Sequence, residues 1–216
     1  MELRFTKMNG AGNDFVMVDN RDGALALSRD QIAALCDRHR GVGADGLLAV
    51  EPTTLSGALW RMRYYNADGG EAEMCGNGAR CFARFVQRLE GGRGAFAFQT
   101  AAGLLRANFE GALVRIAMSE PSDLSLRESL SLGGGNQEVH FINTGVPHTV
   151  LVVKDIQSVP VAVLGSEIRH HARFAPRGTN VNFIQVLDGK ALRIRTYERG
   201  VEAETLACGT GVTASA

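Results

Sequence analysis

An α+β chain of two pseudosymmetric, duplicated domains is the fold class this sequence predicts, and three observations predict it. Short runs of β-branched and aromatic residues outnumber helical segments. Three blocks of sequence occur twice, in the same order. Apolar residues are 45% of 216 positions, enough to bury a sizeable core in one large domain or two smaller ones.

The elements follow in chain order. "FVMVD" (15–19) reads as a strand. Ser28 opens a helix over 29–39, with Gln31 in capping-box position. "LWRMRYY" (59–65) is a strand, and 77–89 is a helix whose Ala79, Phe82, Ala83 and Val86 suit packing. "AFAFQT" (95–100) and "LVRIAM" (113–118) are strands that complete a first domain, 1–118. "SEPSDLSLRESLSLGGG" (119–135) is rich in Ser and Gly and reads as a linker or exposed loop. A second domain, 136–216, holds the strands "TVLVVK" (149–154), "NFIQVL" (182–187) and "ALRIRTY" (191–197), with a helix over 167–173 capped by Ser166.

The duplication rests on three pairs. "MNGAGNDFVMV" (8–18) matches "INTGVPHTVLVV" (142–153), each an Asn-x-Gly turn before a β-branched run. "LSRDQIAALCDRHRGVGADGLLAV" (27–50) matches "GSEIRHHARFAPRGTNVNFIQV" (165–186). "YYNADGGEAEMCGNG" (64–78) matches "TYERGVEAETLACGTG" (196–211). The offsets are 134 from Met8 to Ile142, 137 from Arg40 to Arg177 and 133 from Cys75 to Cys208. After Cys75 the first copy continues through a helix and two strands, and only eight residues follow Cys208, so the second domain is expected to be C-terminally truncated.

Charge and cysteine content narrow the function classes. Charged residues are 21% and the net charge is zero, which gives no electrostatic reason for nucleic acid as a partner. No apolar run approaches a membrane span, and "MELRFTKMNG" lacks the apolar stretch of a signal peptide, so a cytoplasmic location is expected. In that reducing setting Cys36, Cys75, Cys81 and Cys208 stay thiols, and their spacing fits no zinc site. "GVGADG" fits Gly-x-Gly-x-x-Gly but follows a helix and precedes a strand, the reverse of a dinucleotide fingerprint, so no nucleotide cofactor is expected.

Cys75 and Cys208 each stand directly before Gly-x-Gly. A glycine turn feeding a helix offers unpaired N–H groups and a positive dipole end, which bind a carboxylate and lower the pKa of a cysteine placed there. Two such thiols acting on one α-carbon can invert it, one as thiolate removing the proton and the other as thiol returning one. The plainer alternative is that both cysteines are small buried filler and the glycines only serve the helix ends. Cys36 and Cys81 lack the turn and read as structural.

With these residues in view, the chain resembles the diaminopimelate epimerases over nearly its whole length. The resemblance rests on "KMNGAGNDFVMVD", "RGVGADGLL", "YYNADGGEAEMCGNGARC", "NTGVPH", "GTNVNF" and "YERGVEAETLACGTG". It implies interconversion of LL- and meso-diaminopimelate without a cofactor or metal, on the route to lysine and peptidoglycan, by a homodimer. The implied fold is two domains, each a curved, mostly antiparallel sheet around a central helix. It implies Cys75 and Cys208 as the acid/base pair, with the Gly76, Asn77, Gly209 and Thr210 amides holding the reacting carboxylate. Asn13, Asn66, Asn180, Glu198 and Arg199 are implied substrate contacts, and His148 and Glu198 are implied to tune the thiols. Val146 and Gly46 depart from residues that other members carry. Proline and hydroxyproline racemases resemble the chain in cysteine pairing, but Asn77 and the Glu198-Arg199 pair suit a substrate with a second charged end. Each residue also has a local reading: Asn13 and Asn66 as turn formers, Asn180 as a strand cap, Glu198-Arg199 as a surface pair and His148 as a loop histidine.

Overall fold

The computed structural model describes residues 2–72, 74–118 and 120–216. They fall into two compact units, Met1–Met118 and Ser119–Ala216. The first contains strands β1 (Thr6–Gly10), β2 (Asn13–Asp19), β3 (Gly46–Glu51), β4 (Arg61–Asn66), β5 (Glu71–Ala72), β6 (Phe96–Thr100), β7 (Gly103–Glu110) and β8 (Leu113–Ala117), and helices α1 (Arg29–Cys36) and α2 (Gly76–Leu89). The second contains β9 (Ser122–Leu132), β10 (Gly135–Asn143), β11 (Pro147–Val152), β12 (Asn180–Val186), β13 (Leu192–Glu198) and β14 (Ala203–Thr205), with α3 (Val161–Arg169), a 3-10 turn at Ala172–Phe174 and α4 (Gly209–Ser215).

In the first unit the sheet runs β1-β2-β3-β4-β6-β7-β8, with β5 paired to β4. Among the described residues of this unit, the β2–β3 and β4–β6 pairs are parallel and the others antiparallel. The edge strands β1 and β8 both pack on α2, as do β2, β3 and β4, so the sheet curls around that helix. Alternation along the strands explains the two cores. Phe15, Met17, Leu48 and Val50 face α2 with Phe82 and Val86, while Val16, Val18, Leu47 and Ala49 face α1 with Ile32 and Cys36. Strands buried on both faces need continuous apolar runs, which "FVMV" and "GLLAV" supply. Ser28 caps α1 in a complete capping box with Gln31.

The second unit repeats the connectivity. β10 pairs antiparallel with β11, β11 parallel with β12, β12 antiparallel with β13 and β13 antiparallel with β14, and α4 follows. The first unit runs the same course through β1, β2, β3, β4 and β5 into α2. α1 and α3 occupy the two parallel crossovers. The second core packs Val161 and Ile168 of α3 against Leu151, Val181, Phe183 and Tyr197.

Two expectations are corrected. The segment expected to be a linker, 119–135, contains β9, an eleven-residue strand on the edge of the second sheet beside β10. Ser129 and Ser131 alternate with Leu130 and Leu132, of which Leu130 is buried, while Leu124 and Leu126 are exposed, so the composition reads as loop although the end of the segment has the period of a strand. The helix expected over 167–173 starts instead at Val161 and ends at Arg169, placing Ser166 inside it; Pro160 holds the N-cap position without a side-chain bond.

Candidate active site

In the first unit Asn13 opens β2, Gly46 opens β3 and Asn66 closes β4, at the same end of neighbouring strands. The first turn of α2 reaches this end. Cys75 is the α2 N-cap, in an extended conformation (φ −140°, ψ 116°), and its Sγ accepts from the Gly78 amide at 3.4 Å. Contact between β1 and this turn requires Gly10, because a Cβ there would lie 2.6 Å from the Asn77 carbonyl oxygen and 2.9 Å from Cys81 Sγ. Asn77 is buried and donates to Asn13 Oδ1 at 2.6 Å, while Arg80 donates to Asn77 Oδ1. Asn13 in turn donates to Asp45 Oδ2 at 3.0 Å. Asp45 is fixed by Arg38, which also binds Asp14 and holds that carboxyl well below the usual range. Asn66 Oδ1 accepts from the Tyr64 hydroxyl at 2.8 Å.

Gly46 has no room for a side chain. A Cβ would meet the Tyr65 carbonyl oxygen and lie 2.8 Å from the Tyr64 ring. Cys36 and Cys81 are buried on opposite faces of the first sheet, and burial pushes both thiols up to about 11.

The second unit builds the corresponding end from β11, β12 and β13. Asn180 opens β12; its side chain donates to the Pro147 carbonyl of β11 at 3.1 Å and accepts from the Arg199 amide, just past the end of β13, at 2.9 Å. Glu198 closes β13 and accepts from Thr205 at 2.8 Å. His148 is in β11 rather than a loop and is fully buried. Desolvation drives its pKa down to about 3, with the Arg199 charge acting in the same direction, so the ring is neutral.

Cys208 is the N-cap of α4 (φ −124°, ψ 107°) and is buried, with Sγ 3.4 Å from Thr210 Oγ1. The Thr144 hydroxyl donates to the Thr210 carbonyl at 3.1 Å, anchoring this turn to the segment after β10. The expectation that a glycine turn lowers the cysteine pKa is reversed here. Burial raises the Cys208 pKa and Glu198 adds to it; the Thr210 hydroxyl and the amides of Thr210 and Gly211 pull the other way without overcoming desolvation. Cys208 is therefore a thiol at neutral pH.

Each cysteine thus begins a helix at the same step of a repeated topology, next to its own unit's asparagines. Sequence reasoning did not single out Asp45, Asn182 or Thr196. Asn182 lies two residues beyond Asn180 in "GTNVNF", on the same strand face, which strand periodicity could have exposed.

Similarity to known proteins agrees with this architecture. The family model described as diaminopimelate epimerase matches residues 5–122 and 140–216. A diaminopimelate epimerase of Aquifex aeolicus is 42% identical over 99% of this chain and 80% of its own length. One of Chlorobaculum tepidum is 44% identical over 97% of this chain and 80% of its own length. Among solved structures, a hydroxyproline epimerase from Agrobacterium vitis matches with a TM-score of 0.72 at 17% identity, covering 99% of this chain and 75% of that one. A probable proline racemase from Agrobacterium radiobacter K84 matches with a TM-score of 0.70 at 14% identity, over 97% of this chain and 74% of that one. The fold is theirs, and the sequence separates them from it: the chain belongs to the diaminopimelate epimerase family, and is an isomerase.

Proposed function

We propose that the protein interconverts LL- and meso-diaminopimelate by two-base proton transfer at the α-carbon, supplying precursor for lysine and peptidoglycan. The observation that carries this reading is the paired placement of Cys75 and Cys208, each the N-cap of the helix that ends the same repeated topology. The thiolate of one cysteine takes the α-proton, leaving electron density that spreads into the α-carboxylate. The thiol of the other delivers its proton to the opposite face, so one S–H forms as the other breaks and no cofactor or metal is consumed. Burial keeps Cys208 protonated at neutral pH, so it starts as the acid in one direction with Cys75 as the base, and the reverse reaction exchanges the two roles.

The Gly76, Asn77, Gly209 and Thr210 amides stabilise the developing charge on the carboxylate. Asn13, Asn66 and Asn180 bind the substrate's polar groups with Glu198, and Arg199 pairs with the distal carboxylate. His148 and Glu198 tune the thiols. The proposed setting is a homodimer in the cytoplasm, where reduction keeps both cysteines as thiols. Among the described residues no helix is long and apolar enough to cross a membrane.

The test is α-proton exchange in deuterated buffer, followed by NMR under reducing conditions, comparing this protein with Cys75→Ala and Cys208→Ala. Deuterium entering LL-diaminopimelate as the meso isomer forms, with either substitution abolishing turnover, is the expected result. Exchange into proline and none into diaminopimelate would move the assignment to the racemases.

A further inference from the structure

We propose that Asn182 is a positioning residue that locks His148 as its Nε2–H tautomer beside the Cys208 turn. The proposal rests on reading Cys208 as an acid/base thiol.

The strand registers make the two units comparable position by position. In the first, Phe15 pairs with Gly46 and Leu48 pairs with Tyr64. In the second, His148 pairs with Asn180 and Asn182 pairs with Thr196. The residues beneath the helix turn are therefore Phe15, Leu48 and Tyr64 in one copy, and His148, Asn182 and Thr196 in the other. The glycines above them report the same substitution. A Cβ on Gly78 would lie 3.2 Å from Leu48 Cδ1 and 3.5 Å from Phe15 Cζ, whereas one on Gly211 would strike Asn182 Oδ1 and lie 3.3 Å from Cys208 Sγ. A floor under Cys75 whose one polar group, the Tyr64 hydroxyl, is bonded to Asn66 corresponds to a buried polar chain under Cys208.

That chain has one consistent proton arrangement. Thr196 Oγ1 donates to Asn182 Oδ1 at 2.9 Å. On the other side, Asn182 Nδ2 faces the Thr149 carbonyl at 3.4 Å, and a carbonyl can only accept. The amide orientation is thus fixed, and Nδ2 points its other hydrogen at His148 Nδ1, 2.9 Å away. Nδ1 must offer its lone pair, which leaves the single proton of the neutral ring on Nε2. Among the described residues Nε2 has no hydrogen-bond partner, although the ring is fully buried. A buried donor without a partner costs about 1–3 kcal/mol. Two polar side chains, Asn182 and Thr196, holding the ring in that state where the other copy has Leu48 and Tyr64 mark the donor as functional: it is presented to an anion, the thiolate or a substrate oxygen.

The experiment reads the tautomer directly. In protein labelled with 15N-histidine, long-range proton–nitrogen correlation near pH 7 distinguishes protonated from unprotonated ring nitrogens, and His148 is identified by its signals vanishing in His148→Gln. The expected pattern is Nδ1 unprotonated and Nε2 protonated; a protonated Nδ1 overturns the proposal. Asn182→Asp replaces the donor with an acceptor. A folded variant should gain a proton on Nδ1 and lose roughly 10²-fold or more in diaminopimelate α-proton exchange, within the range for acid–base groups set in the wrong state. Retention of an unprotonated Nδ1, or wild-type exchange with Nδ1 protonated, defeats it. Should Asn182→Asp not fold, Thr196→Val, which removes the hydroxyl orienting the amide, carries the kinetic arm. A kcat loss of about tenfold or more at unchanged KM is expected there, and wild-type kcat counts against a positioning role. Absence of all exchange in the unmodified protein would sink the epimerase reading, while its spectrum still decides the tautomer.

Discussion

His148 carries a consequence for stability that is separate from catalysis. Its ring is neutral in the fold, with a pKa brought from 6.5 to about 3 by burial. The unfolded chain binds a proton near pH 6.5 that the folded one refuses, so the stabilisation is complete above that pH and is lost as pH falls towards 3. Between pH 6.5 and 5 this single group should remove about 2 kcal/mol. Urea denaturation at those two pH values checks it: His148→Gln should be less stable than the parent at neutral pH but lose less on acidification. An identical pH slope in both proteins would mean the ring is charged or solvated in the fold.

At the scale of elements, the two helix turns that begin at Cys75 and Cys208 are alike in backbone and unlike in what supports them. Helix propensity alone favours alanine over glycine by about 1 kcal/mol in a helix interior. At Gly78 the new methyl would meet Leu48 Cδ1 at 3.2 Å, the end of a side chain that can shift. At Gly211 it would meet Asn182 Oδ1, which is held by Thr196 and His148 and cannot shift without breaking both bonds. Gly78→Ala should therefore be near neutral, and Gly211→Ala should cost about 1–3 kcal/mol as an overpacked site. Thermal melts would register this as a fall of roughly 2–4 °C per kcal/mol for a chain of this size, seen only for Gly211→Ala. Equal shifts for the two variants would show that the Asn182 chain is soft and the contrast between the units has no mechanical consequence.

For the molecule as a whole, the repeat was legible because it is written in glycines, asparagines and cysteines whose roles are local. Asn-x-Gly turns and Cys-Gly-x-Gly caps look the same in any context, and Ser28 with Gln31 announced α1 at the correct residue. β9 escaped because an edge strand half open to water carries serine and charge as readily as a loop does. The start of α3 escaped because no side chain caps it. The protonation of Cys208 was out of reach for a different reason: the turn's amides are visible in sequence, but the burial that outweighs them comes from tertiary packing. That packing also ranks the four thiols. Cys75 is half-buried, whereas Cys36, Cys81 and Cys208 are buried, at 3%, 3% and 9% exposure. Burial further raises the pKa of Cys36 and Cys81 to about 11 and shifts Cys208 upward, starving all three of the thiolate that an alkylating agent attacks. Limited iodoacetamide treatment of the native protein near pH 7.5, read by peptide mass spectrometry, should label Cys75 first and leave Cys36 and Cys81 unmodified until the chain is denatured. Diaminopimelate added beforehand should slow labelling at Cys75. Cys36 or Cys81 reacting as fast as Cys75 would contradict the burial that defines the first unit's two cores.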